Sequence, residues 1–209
     1  MRFAKERARK QFLVKFAEIC PESINFLQYP EIWVIDKSAG NKRRGTRVAS
    51  GGWDRVVGGK VFWSGAYEWS GDQDTGMLPL ENYSFFTSLH DHFISGLPWK
   101  HTEWFKWLSY QSRVRPVKRY RNDKEIADRF DFLDRMYGEF VHGVYKEEKN
   151  LPIVNIGRNG RIAIEDGRHR LCAAKLAKLS VVKVEIGTIH PSVCPPMLRR
   201  VLRSHWGHL

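Results

Sequence analysis

The sequence predicts an α+β fold in which a helix, a β-hairpin, a second helix and a closing strand follow one another in the last third of the chain. Segment 123–145 has apolar residues at helical spacing, which predicts an amphipathic helix. The short apolar runs Ile153–Ile156 and Arg161–Glu165 flank Gly157-Arg158-Asn159-Gly160, whose Asn-Gly pair is a strong hairpin signal. The helical spacing of segment 123–145 is carried by Ile126, Phe130, Leu133, Tyr137, Phe140 and Val144.

The second helix is predicted over Leu171–Leu179, which is rich in Ala, Leu and Lys, and the closing strand over Val181–Ile186. Between the hairpin and this helix lies Asp166-Gly167-Arg168-His169-Arg170, here called the DGRHR box. The box therefore occupies the N-terminus of a helix, where unpaired N–H groups and the macrodipole favour an anion. This layout predicts a phosphate-binding turn.

The run Leu151–Ile186 resembles the ParB/sulfiredoxin-like superfamily. Gly167, Arg170 and Ala173 match its G-x-x-R-x-x-A box, and an apolar strand and a V-x-V strand lie on either side. The resemblance covers about residues 120–187 and implies a nucleotide or phosphate pocket. Its relatives include CTP-binding partition proteins, ATP-using sulfiredoxins, free-serine kinases and ParB-like nucleases.

Departures from the family pattern narrow these implied activities. Sulfiredoxins have a catalytic Cys immediately before the His-Arg pair, but Arg168 occupies that position here and Cys172 lies inside the predicted helix. Partition proteins continue into a helix-turn-helix domain, whereas a short, basic, Pro-broken tail follows Ile186. We therefore expect neither peroxiredoxin repair nor chromosome partition.

Each side chain of the box has a chemical role to offer. Arg168 and Arg170 have planar forks that match phosphate oxygens, and His169 can donate to a phosphate or transfer a proton. Asp166 can cap the helix, or it can hold Mg²⁺ on the phosphates of a nucleoside triphosphate. The alternatives are an exposed side chain for Arg168, and a structural salt-bridge or hydrogen-bond network for His169 and Arg170.

The middle of the chain, about residues 21–115, is rich in Trp and Gly. Its G-G-W-D and G-x-P-W-x-x-T-E pieces resemble the N-terminal half of ParB-like proteins, which implies one wall of the same pocket and the same globule. Its Trp residues are expected in the core, with base stacking as the alternative. Among its carboxylates, Asp54 and Glu103 are favoured as catalytic residues over Glu31 and Asp36, because they lie in these motifs.

Basic residues are concentrated at the two ends of the 209-residue chain, whose net charge is +12. Residues 1–20 predict a basic amphipathic helix, and residues 191–209 a basic tail that follows the ParB-like region at 116–190. Such basic ends are typical of segments that bind nucleic acid or an acidic partner. The alternative for the first segment is a solvated helix packed on the domain, and a membrane-surface role is less favoured. The apolar stripe of the first segment consists of Ala4, Ala8, Phe12, Phe16 and Ile19.

Composition also sets the expected compartment. No apolar run approaches the roughly 18 residues that span a bilayer, and the three cysteines have no paired spacing. A cytoplasmic, reducing environment is therefore expected. His90-Asp91-His92 is expected on a loop, and a zinc site is disfavoured because the spacing of its candidate ligands departs from the usual pairs. Those candidates are His190, Cys194, His205 and His208.

Two functional classes follow from the sequence. The first is an NTP-dependent kinase or NTPase, in which the box holds the phosphates, Mg²⁺ bridges them and a carboxylate from the N-terminal half activates the acceptor. The second is a ParB-like nuclease or DNA-binding protein, in which the same turn and the basic ends grip the backbone of DNA or RNA. Charge favours the second class, but a long Trp/Gly-rich half suits a closed pocket and favours the first. A third possibility is a binding protein that has lost catalysis and uses the nucleotide only as a switch.

Overall fold

One mixed β-sheet organises the computed structural model, which describes residues 16–29, 47–48, 52–57, 76–114, 120–145, 150–193 and 196–197. Within these residues the sheet has seven strands in the order β1-β7-β5-β6-β2-β4, and β3 also pairs with β7. The strands are β1 Phe16–Ile19, β2 Ile24–Tyr29, β3 Arg47–Val48, β4 Gly76–Pro79, β5 Ile153–Ile156, β6 Ile162–Asp166 and β7 Val182–Ile189.

Parallel and antiparallel pairs alternate across the sheet. The hairpin pair β5 and β6 is antiparallel, while β7 lies parallel to β5, and β2 lies parallel to β6. On the outer sides β1 pairs antiparallel with β7, and β4 pairs antiparallel with β2. The predicted α+β class is therefore confirmed, and strands from both halves of the chain form the one sheet.

The hairpin turn follows the sequence prediction closely. Gly160 N–H donates to the Gly157 carbonyl at 2.9 Å, and Gly157 N–H donates to the Arg161 carbonyl at 2.9 Å. Gly160 has a φ of 73°, the left-handed conformation that glycine adopts without steric cost. The Asn-Gly pair thus closes the turn through its glycine, and β6 begins at Ile162, one residue later than predicted.

Four α-helices in the described part of the chain pack on one face of the sheet. They are α1 Ser84–Phe93, α2 Glu103–Val114, α3 Asp123–Val141 and α4 Arg168–Leu176. The predicted helix at 123–145 is confirmed as α3, which begins at an Asn122 cap that accepts from Glu125 N–H and ends four residues early. Val144, the last residue of the predicted stripe, is exposed beyond the helix end.

The core between the helices and the sheet is aromatic. Phe85 meets Trp104 edge-on, with ring centroids 4.6 Å apart, and Trp104 meets Phe130 at 5.2 Å. Trp104 and Trp53 are buried, which confirms the core interpretation for these two. The candidates Trp33, Trp63, Trp69 and Trp206 lie outside the described residues.

The second face of the sheet carries a smaller apolar cluster of Trp53, Met77 and Ala163. It is the opposite face because Met77 and Ala163 alternate along their strands with Leu78 and Ile164 of the main core. Trp53 and its neighbours in segment 52–57 therefore cover part of the face of the sheet that the helices leave uncovered.

Two predicted local structures are wrong. Phe16 and Ile19 belong to strand β1 and not to a helix, because they pair with Glu185 and Val182 of β7; residues 1–15 lie outside the described residues. His90-Asp91-His92 lies in α1 and not on a loop. There His92 stacks on Trp99 at a centroid distance of 4.0 Å, and its Nε2 lies 3.2 Å from Asp134 Oδ1.

None of the helices in the described segments combines the length and the apolar composition that a membrane crossing requires.

Candidate functional site

The DGRHR box spans the junction between β6 and α4. Asp166 is the last residue of β6, Gly167 is the N-cap of α4, and the helix begins at Arg168. The predicted helix start at Leu171 is therefore three residues too late. As a result, Arg168, His169 and Arg170 form the first helical turn.

Gly167 has the conformation that the junction requires. Its φ of 74° lies in the left-handed region, where other residues are strained. A Cβ added there would also lie 2.7 Å from Pro152 Cβ and 2.9 Å from Pro152 Cα. The backbone of the box thus packs directly against the entry to β5.

Asp166 does not cap the helix, because the N-cap position belongs to Gly167. Instead its Oδ1 accepts a hydrogen bond of 2.8 Å from Gly167 N–H. The carboxylate is half-buried and lies beside the first N–H groups of α4. The structure thus replaces the predicted cap with a hydrogen bond inside the turn, and the role of Mg²⁺ ligand stays a prediction.

Of the three remaining functional side chains of the box, Arg168 is half-buried and not exposed, and His169 and Arg170 have identifiable contacts. Arg170 Nη1 donates to the Asn150 carbonyl at 2.7 Å, so the guanidinium reaches back to the segment before β5. The His169 ring meets Phe85 edge-on, at a centroid distance of 4.7 Å, and lies 6.3 Å from Trp104. Both side chains are half-buried, which limits their freedom and fixes them near the start of α4.

The first turn of α4 carries two arginines and a histidine, and no acidic residue. Cations are disfavoured at a helix N-terminus because the unpaired N–H groups already carry partial positive charge. An anion bound at this end would therefore interact favourably with both the side chains and the helix.

Cys172 lies one turn further along α4, on its buried face. Burial raises the pKa of this thiol to about 12, although Arg168 and Lys175 act in the opposite direction. A thiol so far from ionisation is a poor nucleophile at neutral pH. Cys172 is therefore a buried residue of α4 and not a candidate nucleophile.

The structure separates the two carboxylates predicted from the N-terminal half. Glu103 is the first residue of α2 and precedes Trp104, whose ring lies near His169. Asp54 lies at the turn end of the hairpin, and the length of β6 between this turn and Gly167 is roughly 20 Å. Asp54 therefore lies apart from the box, whereas Glu103 is linked to it only through its chain neighbour Trp104.

Asp54 is buried and forms an ion pair with Arg158. Its Oδ2 accepts from Arg158 N–H at 2.7 Å, and its Oδ1 accepts from Arg158 Nη2 at 2.6 Å. Burial alone would raise the pKa of Asp54, but the hydrogen bonds from the side chain and backbone of Arg158 outweigh it and hold the pKa below 3.8. These contacts give Asp54 an anchoring position under the hairpin turn.

A buried polar network on the second face of the sheet was not predicted. Asn155 Nδ2 donates to Glu165 Oε2 and to Gln28 Oε1, and Asn155 Oδ1 accepts from Thr188 N–H at 2.8 Å. Gln28 Nε2 donates in turn to the carbonyls of Trp53 and Gly76. The available signal was Asn155 itself, a polar residue in the middle of an otherwise apolar strand.

Metal ligands are sparse in the segments that the structure describes, where no group of three or more His, Cys, Asp or Glu side chains is close enough to hold an ion. Of the zinc candidates, His190 Nδ1 accepts from Ser192 N–H, and the other three lie outside the described residues. A single carboxylate, that of Asp166, is compatible with Mg²⁺, which proteins commonly hold with one or two carboxylates together with substrate phosphates.

Comparisons with protein-family models, with curated proteins and with solved structures found no match for this chain. The ParB/sulfiredoxin-like assignment therefore stays a prediction from the sequence of residues 120–187.

Proposed function

We propose that the protein binds a nucleoside triphosphate or a related phosphate compound at the DGRHR box and acts on it by phosphoryl transfer or hydrolysis. The observation that supports this most is the first turn of α4, where Arg168, His169 and Arg170 directly follow the left-handed Gly167. Helix N–H groups and arginine forks are the two donors that proteins most often direct at phosphate.

In this proposal the backbone at Gly167 lets the phosphates approach the helix end, and Arg168 and Arg170 bind their oxygens. Asp166 would hold Mg²⁺, which neutralises phosphate charge when it is bound. His169 donates to a phosphate oxygen or moves a proton, and Glu103 is the carboxylate that would activate the acceptor. Asp54 has no part in this site, because the hairpin length separates it from the box.

The test is a thermal-unfolding shift with ATP, CTP or GTP, each with and without Mg²⁺. A ligand at about a hundredfold over its Kd adds roughly 2.7 kcal/mol, which for a chain of this size raises Tm by roughly 5–10 °C. We expect this rise for one nucleotide in the wild type and its loss in Arg170→Lys, which keeps the charge but not the planar fork.

The control variant is Arg135→Lys, an exposed arginine on α3 that lies outside the box. It should keep the full nucleotide shift. Comparing each variant with and without ligand removes any change in intrinsic stability, such as that from the lost Arg170 bond to Asn150. If no nucleotide shifts the Tm of the wild type, the mononucleotide proposal is wrong.

The second candidate is a ParB-like nuclease or DNA-binding protein that grips nucleic-acid backbone with the same turn. The net charge of +12 favours it, because basic surfaces attract polyanions over long range. Its distinguishing property is salt dependence: affinity for a polynucleotide falls steeply with salt, whereas a closed mononucleotide pocket responds weakly.

A further inference from the structure

A pocket of about 180 Å³ opens at the turn end of the hairpin, at the opposite end of β6 from the box. It is lined by Asp54, Arg55, Gly157, Arg158, Asn159 and Arg161. Neither proposed function uses it. The pocket, here called the turn pocket, lies on the face of the sheet that the helices leave.

The turn pocket is strongly basic. It has three arginines against one carboxylate, and the arginines are exposed while Asp54 is buried. The positive charges of the pocket are therefore accessible to solvent, and its negative charge is not. A ligand approaching from outside meets guanidinium groups, and the carboxylate lies beneath them.

Two of these arginines are held in place by the fold. Asp54 accepts from Nε and Nη2 of Arg158, and it also accepts from the Arg158 backbone N–H. The guanidinium of Arg161 lies over the Phe26 ring, 5.5 Å from its centroid. Cations that are already oriented lose less entropy when they bind an anion, so this arrangement suits recognition more than mere solubility.

The size and lining of the turn pocket indicate what it binds. Its volume is large enough for a phosphate group, and none of the described residues that line it is aromatic, so the lining offers no ring on which a base can stack. Planar guanidinium forks match phosphate oxygens. The pocket therefore fits a phosphate that belongs to a larger molecule.

We propose that the turn pocket binds a backbone phosphate of a polynucleotide through Arg55, Arg158 and Arg161, with Asp54 as the residue that positions Arg158. The site is independent of the DGRHR box, since roughly 20 Å of strand separates them. A single nucleotide in the box does not reach the turn pocket.

The test measures binding of a short fluorescein-labelled single-stranded oligonucleotide, and of its duplex, by anisotropy over a series of salt concentrations. The variant is Arg55→Ala with Arg161→Ala, which leaves the Asp54–Arg158 pair intact. The matched control is Arg113→Ala with Arg135→Ala, which removes the same charge from exposed positions on α2 and α3. Circular dichroism confirms that both double variants are folded.

We expect the turn-pocket variant to weaken oligonucleotide binding by about tenfold or more at low salt, and to reduce the slope of log K against log salt by about 2. The control variant should change both quantities much less. Equal losses in the two double variants would mean that only overall charge matters, and would overturn the proposal. Unchanged binding in the turn-pocket variant would overturn it as well.

A second arm identifies the source of the phosphate. Inorganic pyrophosphate could bind the wild type and not the turn-pocket variant, while the oligonucleotide binds both double variants equally well. In that case the pocket binds a small phosphate compound and the polynucleotide proposal is wrong. The nucleotide shift of the box should survive in the turn-pocket variant. Loss of oligonucleotide binding without any nucleotide shift in the wild type would therefore support this site and refute the function proposed for the box.

Discussion

Gly167 shows how one residue fixes the geometry of the candidate site. Its left-handed φ turns the chain from β6 into α4, and its missing side chain lets Pro152 approach. Gly96 has the same φ of 74°, but nothing lies within 4 Å of the position its Cβ would take. A substitution at Gly96 would therefore cause backbone strain alone, whereas one at Gly167 would cause both strain and a steric contact.

We predict that Gly167→Ala destabilises the protein more than Gly96→Ala does. The Gly96 variant should lose about 1–2 kcal/mol from left-handed strain alone. The free energy of unfolding of the Gly167 variant should fall by about 1–3 kcal/mol more than this, because the new methyl group contacts Pro152. Urea denaturation of both variants measures the difference, and equal losses would show that the contact with Pro152 relaxes at no cost.

Residue types in the box were readable from the sequence, but their environments were not. The arginines and the glycine are visible in the printed chain, and so is their match to a phosphate-binding turn. That Arg170 reaches Asn150, or that His169 meets Phe85, depends on parts of the chain that are distant in sequence. Such contacts appear only when the helices pack.

At the scale of elements, the hairpin is anchored by a contact that crosses the two halves of the chain. Asp54, in segment 52–57, holds the Arg158 backbone and side chain at the turn. The sequence identified Asp54 as a candidate because of its Gly/Trp surroundings. The structure gives it an ion-pairing position beneath the turn.

The Asp54–Arg158 pair makes a pH-dependent contribution to stability. Because the pKa of Asp54 is lower in the folded protein than its ordinary value of 3.8, its stabilisation is complete well above pH 4 and is lost as the pH falls through the folded pKa. We predict that Asp54→Asn lowers the free energy of unfolding by about 1–3 kcal/mol at pH 7. The gap to wild type should narrow below about pH 4.

Denaturant unfolding at a series of pH values measures this gap, with Asp131→Asn, an exposed carboxylate on α3, as the control. The control should track the wild type at neutral pH. A gap between Asp54→Asn and wild type that stays constant from pH 7 to pH 3 would contradict the proposed ionic contribution.

Element boundaries show where local signals end. The α3 boundaries follow from the Asn122 cap and the apolar spacing, both of which are local. The sequence predicts too late a start for α4, because two arginines and a histidine do not indicate a first helical turn. It predicts a helix where strand β1 lies, since the spacing of Phe16 and Ile19 also fits a helix and the partner strand β7 is distant in sequence.

At the scale of the whole molecule, the sheet joins the two halves of the chain. In the described residues the predicted hairpin and closing strand, β5, β6 and β7, are bordered by β1 and β3 on one side and by β2 on the other. The buried amides of Gln28 and Asn155, one from each half, are also hydrogen-bonded. The region 116–190 cut out alone would expose both edges of its sheet and much of its core.

We predict that the fragment 120–193 does not unfold cooperatively by itself. Without β2, α1 and α2, it loses the strand beside β6 and the aromatic partners Phe85 and Trp104 of its core. The fragment 16–197, which removes only the basic ends, is the control and should unfold cooperatively. Thermal melts followed by circular dichroism and tryptophan fluorescence distinguish the two, and a sharp transition in 120–193 would show that this region is an independent unit.

The sequence by itself determined the α+β class, the hairpin, the long helix α3 and the cluster of phosphate-binding residue types, because each depends on spacing or turn chemistry within a few residues. Only the tertiary structure decided that Asp54 lies apart from the box, that β1, β2 and β4 complete the sheet, and that Gln28, Asn155 and Glu165 form a buried network. Some of these contacts join residues that are more than a hundred positions apart in the sequence. Their pairing is fixed by the shared burial of strands and side chains, which local patterns do not encode.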